Sequence, residues 1–188
     1  MSRIMIVDDE EAILKALKRI LRLAPCAYGN RVFSLEISAF NSPVAALEQA
    51  RHEAFDLFIS DYRMPGMDGV EFLKAVKTIQ PDAARLILSG YADLNALVRA
   101  VNEVGIDRFV GKPWNDYDLT SAIAQALAHR ELLLENRQLA NLVRVEMGDK
   151  TPEQVEAERL EAIEPGITEV NWGPDGSVRL DPEFQRDD

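Results

Sequence analysis

Five residues could do acid–base or phosphoryl chemistry together if the fold brought them to one place: Asp8, Asp9, Asp61, Ser89 and Lys112. They stand directly after short apolar runs. Arg3-Ile4-Met5-Ile6-Val7 stops at Asp8-Asp9, Leu57-Phe58-Ile59-Ser60 at Asp61, Arg85-Leu86-Ile87-Leu88 at Ser89-Gly90, and Asp107-Arg108-Phe109-Val110-Gly111 at Lys112-Pro113. In an open α/β sheet, ligands bind outside the carboxyl ends of the strands, so polar groups at those ends converge on one rim. Three carboxylates crowded there repel, so either one holds a proton or a cation sits among them. A hard oxygen set suits Mg²⁺, and no looped array of six to eight oxygens argues for Ca²⁺. With a cation, an ammonium and a hydroxyl beside it, Asp61 is placed to attack phosphorus as a covalent phosphoacceptor.

The intervening segments supply the elements that must position these groups. Glu10 to Leu23 carries Ile13, Leu17, Ile20, Leu21 and Ala24 at helical spacing, and Pro25 ends it. Residues Cys26 to Asn30 read as a loop, and Phe33 to Ala39 alternates with period two, a second strand nearer an edge. Ser42-Pro43 caps a helix running to about His52 with Ala46, Leu47 and Ala50 inward. Pro65-Gly66 and Asp68-Gly69 read as turn dipeptides, followed by helical spacing through Phe72, Leu73, Val76 and Ile79. Asp93 offers a cap for a fourth helix through Leu97, Ala100, Val101 and Val104, and Asn115 a cap for a fifth. Strict alternation of five strands with five helices predicts a doubly wound, five-stranded parallel sheet.

The chain has 188 residues, enough for one ordinary domain and an appendage, and 47% apolar residues, enough for a core. Its formal charge of −11 is uneven: residues 149–188 hold 12 acids and 4 bases, and residues 1–148 hold 20 and 17. No basic stripe is present to neutralise nucleic-acid phosphates, so no direct DNA binding is expected. No run reaches the ~18 apolar residues of a membrane span and no signal-peptide pattern opens the chain, which predicts a cytoplasmic protein. Cys26 is the single cysteine, so an intrachain disulfide is excluded. His52 and His129 read as helix-surface residues without a role.

Taken in order at the strand ends, these motifs are highly specific: residues 3 to about 125 resemble the receiver domain of bacterial two-component response regulators. The resemblance rests on Asp8-Asp9, on Asp61-Tyr62-Arg63-Met64-Pro65-Gly66-Met67-Asp68-Gly69, on Ser89-Gly90, and on Phe109 followed by Lys112-Pro113. It implies a flavodoxin-like fold in which Asp61 takes a phosphoryl group from a phosphohistidine of a histidine kinase or phosphotransfer protein. It further implies that Asp9, Asp61 and the Arg63 carbonyl bind Mg²⁺, with Asp8 acting through water, and that Lys112 pairs with the acyl phosphate. Ser89 and Phe109 would form the switch, and Lys112-Pro113 would carry a cis peptide. Phe109 lacks the hydroxyl of a tyrosine switch, and Arg63 lies where side chains tune dephosphorylation.

Beyond residue 125 the helical pattern runs without a breaker from Asp116 to Met147, roughly 48 Å at 1.5 Å per residue. Leu132, Asn136, Leu139 and Val143 permit a heptad seam, which makes residues 126–148 a candidate dimerisation segment for a homodimer. Residues 149–188 read as an acidic tail: a short helix from Thr151-Pro152 to Pro165-Gly166, then a β-hairpin of Ile167–Trp172 against Ser177–Leu180 and a natural end. The expected output is phosphorylation-controlled contact with a downstream protein partner, a signalling role rather than an enzymatic one. Two alternatives accompany it. One is a small Mg²⁺-dependent phosphatase with Asp61 as nucleophile, although Arg63 stands where a general acid is wanted. The other is a receiver cut from a longer cyclic-dinucleotide phosphodiesterase regulator, suggested by Gly90-Tyr91-Ala92-Asp93 and Lys112-Pro113-Trp114.

Overall fold

The structure, a computed structural model, describes residues 1–90, 104–147 and 150–163. Seven strands are present among them: β1 (Ser2–Val7), β2 (Cys26–Tyr28), β3 (Arg31–Phe33), β4 (Leu35–Phe40), β5 (Leu57–Asp61), β6 (Ala84–Gly90) and β7 (Arg108–Lys112). Five helices accompany them: α1 (Glu11–Leu23), α2 (Pro43–His52), α3 (Gly69–Ile79), α4 (Asp116–Glu146) and α5 (Pro152–Ile163). The five sheet strands are all parallel in the order β4-β1-β5-β6-β7, with β4 at an edge as its polar alternation predicts. Read as sheet strands alone, that is the order 2-1-3-4-5 of flavodoxin-like doubly wound folds.

Side chains of the central strands alternate between two cores, which explains why residues 4–7 of β1 and 57–59 of β5 form unbroken apolar runs. Ile4, Ile6, Leu57, Ile59, Leu86, Leu88 and Val110 face Leu14, Leu17 and Leu21 of α1 and Leu119, Ile123 and Leu127 of α4. Met5, Val7, Phe58 and Ile87 face Ala46 and Ala50 of α2 and Val70, Phe72, Leu73 and Val76 of α3. Phe58 stacks edge-on against both Phe55 and Phe72, with ring centroids 5.6 and 6.3 Å apart.

Local capping follows the residue types. Ser42 Oγ accepts from the Ala45 N–H at 3.4 Å, and Asn115 Oδ1 from the Asp118 N–H at 2.7 Å. Asp68 is the N-cap of α3 in a reciprocal capping box with Glu71 rather than a turn residue, so the helix starts at Gly69.

The structure departs from the sequence expectation in two further places before the site. Residues 26–30 are not a loop: β2 and β3 pair as an antiparallel hairpin, and the next strand begins at Leu35. Cys26 and Phe33 bury against α4, which gives a short hairpin the apolar support it lacks alone. Arg31 reaches Glu131 and Glu135 on the same helix. The apolar stripe of α1 is also rotated relative to expectation, because Leu14 is buried while Ile13 and Ile20 are only half-buried.

The chain divides into two compact units, Met1–Asn136 and Arg137–Asp188. In the second, Thr151 and Gln154 cap α5 reciprocally, and Lys150 pairs with Glu158 at 2.6 Å. The helix expected after Asp93 and the hairpin expected at Ile167–Leu180 lie outside the described residues. Among the described residues, no helix is long and apolar enough to cross a membrane.

Candidate functional site

Register assembles the rim. Val7 pairs with Ser60, so Asp8 and Asp61 leave neighbouring strands side by side. Asp61 pairs with Leu88 and Gly90 with Lys112, which sets Ser89 and Lys112 just beyond Asp61 on the other flank. The boundary between β1 and β5 is where the strand order reverses, the topological switch point at which such sheets bind ligands.

Lys112 joins the two carboxylates. Its Nζ lies 2.5 Å from Asp61 Oδ1 and 2.9 Å from Asp8 Oδ2. Asp8 is 1% exposed and Asp61 6%, so neither charge has ample water of its own. Asp61 Oδ2 accepts from the Arg63 N–H at 2.8 Å, and Asp8 Oδ1 from the Glu10 N–H at 2.9 Å. Each acid therefore has one oxygen held by backbone and one by the ammonium. Burial raises the Asp61 carboxyl above its ordinary range; the hydrogen bond and charge of Lys112 pull it down but do not cancel that effect, and Asp8 adds to the rise. For Lys112, burial alone would lower the ammonium, yet hydrogen bonds and attraction from Asp61 and Asp8 outweigh it and raise it.

The backbone of Asp61 is clamped from behind. Ser60, fully buried, donates its hydroxyl to the Asp61 carbonyl at 2.9 Å. Gly69 packs so closely that a Cβ there would lie 2.1 Å from the same carbonyl oxygen. Neither residue was singled out by sequence chemistry; the Asp68-Gly69 pair was the available signal, and it reads as a turn until the approach of α3 to β5 is seen.

The other expected residues are distributed around this centre. Asp9 is exposed and, with Tyr62, Arg63, Met64, Pro65 and Asp68, lines a recess beside the end of β5. Ser89 is buried, its Oγ 3.5 Å from the Gly90 carbonyl. Phe109 is 37% exposed on the edge strand. The Lys112-Pro113 peptide is cis. Among the described residues, no three acidic, imidazole or thiol groups are drawn together tightly enough to form a ready-made metal cage. The donor set nevertheless fits Mg²⁺, which needs only one or two carboxylates and takes its remaining ligands from water and phosphate oxygens. When ionised, Asp8, Asp9 and Asp61 against Lys112 leave the rim net negative, which favours a divalent cation.

A parallel sheet with an aspartate at its switch point, bridged by a lysine of the last strand to an acid that directly follows the first, defines a class of doubly wound domain built around one carboxylate. Residues 4–124 match the family described as the response regulator receiver domain. The chain is 32% identical over 124 residues to the hydrogenase transcriptional regulatory protein HoxA of Bradyrhizobium diazoefficiens, covering 66% of this chain and 24% of that one. A crystal structure of an uncharacterized protein from Neptuniibacter caesariensis is 40% identical, with a TM-score of 0.63 over 72% of this chain and 93% of that one. The signal receiver domain of an HD domain-containing protein from Pseudomonas fluorescens Pf-5 is 32% identical, with a TM-score of 0.61 over 71% and 92%. The chain belongs to the response regulator receiver family of two-component signalling. It spans about a quarter of the length of the first curated relatives it matches.

Proposed function

We propose that Asp61 is the phosphoacceptor of this response regulator, taking its phosphoryl group from a phosphohistidine of a histidine kinase or phosphotransfer protein. The observation that carries this reading is the Lys112 ammonium shared between Asp61 and Asp8 at the switch point. An Asp61 oxygen forms the new bond to phosphorus. The P–N bond to the imidazole breaks, and its electron pair leaves with the ring nitrogen. Mg²⁺, held by Asp9, Asp61 and the Arg63 carbonyl with Asp8 acting through water, would neutralise the phosphoryl oxygens.

The remaining roles belong to this chain's own groups. Lys112 exchanges Asp61 for a phosphoryl oxygen, and the Ser89 hydroxyl donates to another. Phe109 then turns from its exposed position toward the space behind Ser89, remodelling the surface that a downstream protein partner reads. In this reading residues 1–125 are the receiver, residues 126–148 pair in a homodimer, and residues 149–188 form an acidic tail. The protein is cytoplasmic, catalyses only its own phosphorylation and dephosphorylation, and binds no DNA directly.

Incubation of the full chain with acetyl phosphate and Mg²⁺, followed by intact-mass measurement, tests the assignment. The expected result is a gain of one phosphoryl group that requires Mg²⁺ and is absent in Asp61→Asn. An unmodified wild type, or labelling of Asp61→Asn to the same extent, would overturn it. Turnover of an external phosphomonoester would instead support the phosphatase alternative.

A further inference from the structure

The Lys112 ammonium has a third neighbour besides Asp61 and Asp8. Its Nζ lies 6.0 Å from the centroid of the Trp114 ring, at the outer range for attraction of a cation to the negative face of an indole. Trp114 is only half-buried: one side rests on the apolar core between the sheet and α1 and α4, and the other borders the site. The chain holds a second close cation–aromatic contact, Arg3 at 5.1 Å from the Phe55 ring. There the arginine is also paired with Glu53 and Glu36 at the amino ends of the strands, remote from the rim. Among the described residues, only at Trp114 does the ring flank a cation that the site itself uses.

We propose that Trp114 is a positioning residue for phosphorylation, holding the Lys112 ammonium at the rim while that ammonium changes partners. The inference rests on Asp61 being the phosphoacceptor. As an Asp61 oxygen is committed to phosphorus, the hydrogen bond from Lys112 to Asp61 is the one to be exchanged for a phosphoryl oxygen. During that exchange the flexible four-carbon stem of lysine would otherwise release the charge to water. Asp8 restrains the ammonium from one side and the indole face from another, so the charge stays where the phosphoryl oxygens arrive. A purely packing role would need only an apolar body at position 114. A positioning role needs the electron-rich face.

The test separates the two. In the full chain carrying Trp172→Phe, Trp114 is the sole tryptophan and can be replaced biosynthetically by mono-, di- and trifluorotryptophan, which drain the ring face with little change of size. The phosphorylation rate with acetyl phosphate and Mg²⁺ is expected to fall stepwise with fluorine count, by about two- to fivefold across the series. Trp114→Leu should fall by as much, whereas Trp114→Phe should retain most of the rate. A flat fluorine series, or Trp114→Leu equal to wild type, would overturn the role of Trp114 while leaving Asp61 as acceptor. A wild type that takes no phosphoryl group would overturn both. As a check independent of phosphorylation, Lys112→Met should shift the Trp114 emission, and an unmoved spectrum counts against the contact.

Discussion

Replacing Gly69 by alanine should damage phosphorylation far more than its small size suggests. The new Cβ would stand 2.1 Å from the Asp61 carbonyl oxygen and 3.0 Å from both the Asp61 carbonyl carbon and Ser60 Oγ. Relief to the shortest tolerable contact, 3.0 Å, requires 3.0 − 2.1, or about 0.9 Å, of movement by the backbone of β5 or the start of α3. Overpacking of this kind costs about 1–3 kcal/mol, and the neighbour is backbone rather than a yielding side chain, which argues for the upper end. The reduced entropy of the unfolded chain returns about 0.4–1 kcal/mol, leaving a net loss of about 2 kcal/mol. That corresponds to a fall of about 4–8 °C in the unfolding midpoint for a domain of this size. The same movement displaces the Asp61 carboxylate from Lys112, and a misplacement near 1 Å can cost about a hundredfold in rate. Thermal unfolding monitored by circular dichroism, alongside phosphorylation by acetyl phosphate, measures both effects. Gly29→Ala, in the turn between β2 and β3 with φ of +58° and nothing within 4 Å, supplies the contrast: it strains the backbone but should spare phosphorylation. A Gly69→Ala chain with the wild-type midpoint and rate would refute the clamp.

Other consequences follow from the charges and the buried thiol. Because the folded-state carboxyl of Asp61 lies above its unfolded value, ionisation favours the unfolded chain at neutral pH and protonation relieves that penalty. Asp61→Asn should therefore raise the unfolding midpoint at pH 7–8, with the gain shrinking as pH falls through the folded-state value; a gain that grows toward acid would contradict this. Lys112 is raised above its ordinary 10.5, so its stabilisation is complete below that pH and lost as pH climbs through the folded-state value. The difference in midpoint between wild type and Lys112→Met should thus stay level from pH 7 to 9 and narrow above about 10.5. Cutting the exposed bridge of β3 to α4 with Arg31→Ala should cost only about 0.2–1 kcal/mol by chemical denaturation, less in high salt. Burial pushes the Cys26 thiol up to about 11, so a disulfide reagent at pH 8 should label it only at the rate of unfolding; rapid native-state labelling would show the thiol to be open.

Much of this protein is readable from one-dimensional chemistry because the relevant signals are local. A strand buried on both faces has to be apolar throughout, so the acids that end β1 and β5 stand out without any knowledge of pairing. The caps at Ser42 and Asn115 and the unbroken helix from Asp116 likewise depend on neighbours a few residues away. The β2–β3 hairpin escaped that reading because its strands are three residues each and their burial comes from α4, ninety residues further on. The phase of the α1 stripe escaped it too, since Ile13 and Leu14 are equally apolar and only docking chooses between them.

The site divides along the same line. By itself the sequence determined which groups stand near the rim, Asp8, Asp9, Asp61, Ser89 and Lys112, because they sit at the boundaries of four apolar runs. It also determined the alternating α/β architecture that gathers them. Tertiary structure alone decided how they are used: that Lys112 is shared by Asp61 and Asp8 while Asp9 stands in the open recess, that Gly69 and Ser60 grip the Asp61 carbonyl, and that the Trp114 ring flanks the ammonium. These are distances between residues far apart in the chain, set by strand register and helix docking, and no residue type or spacing encodes an ångström.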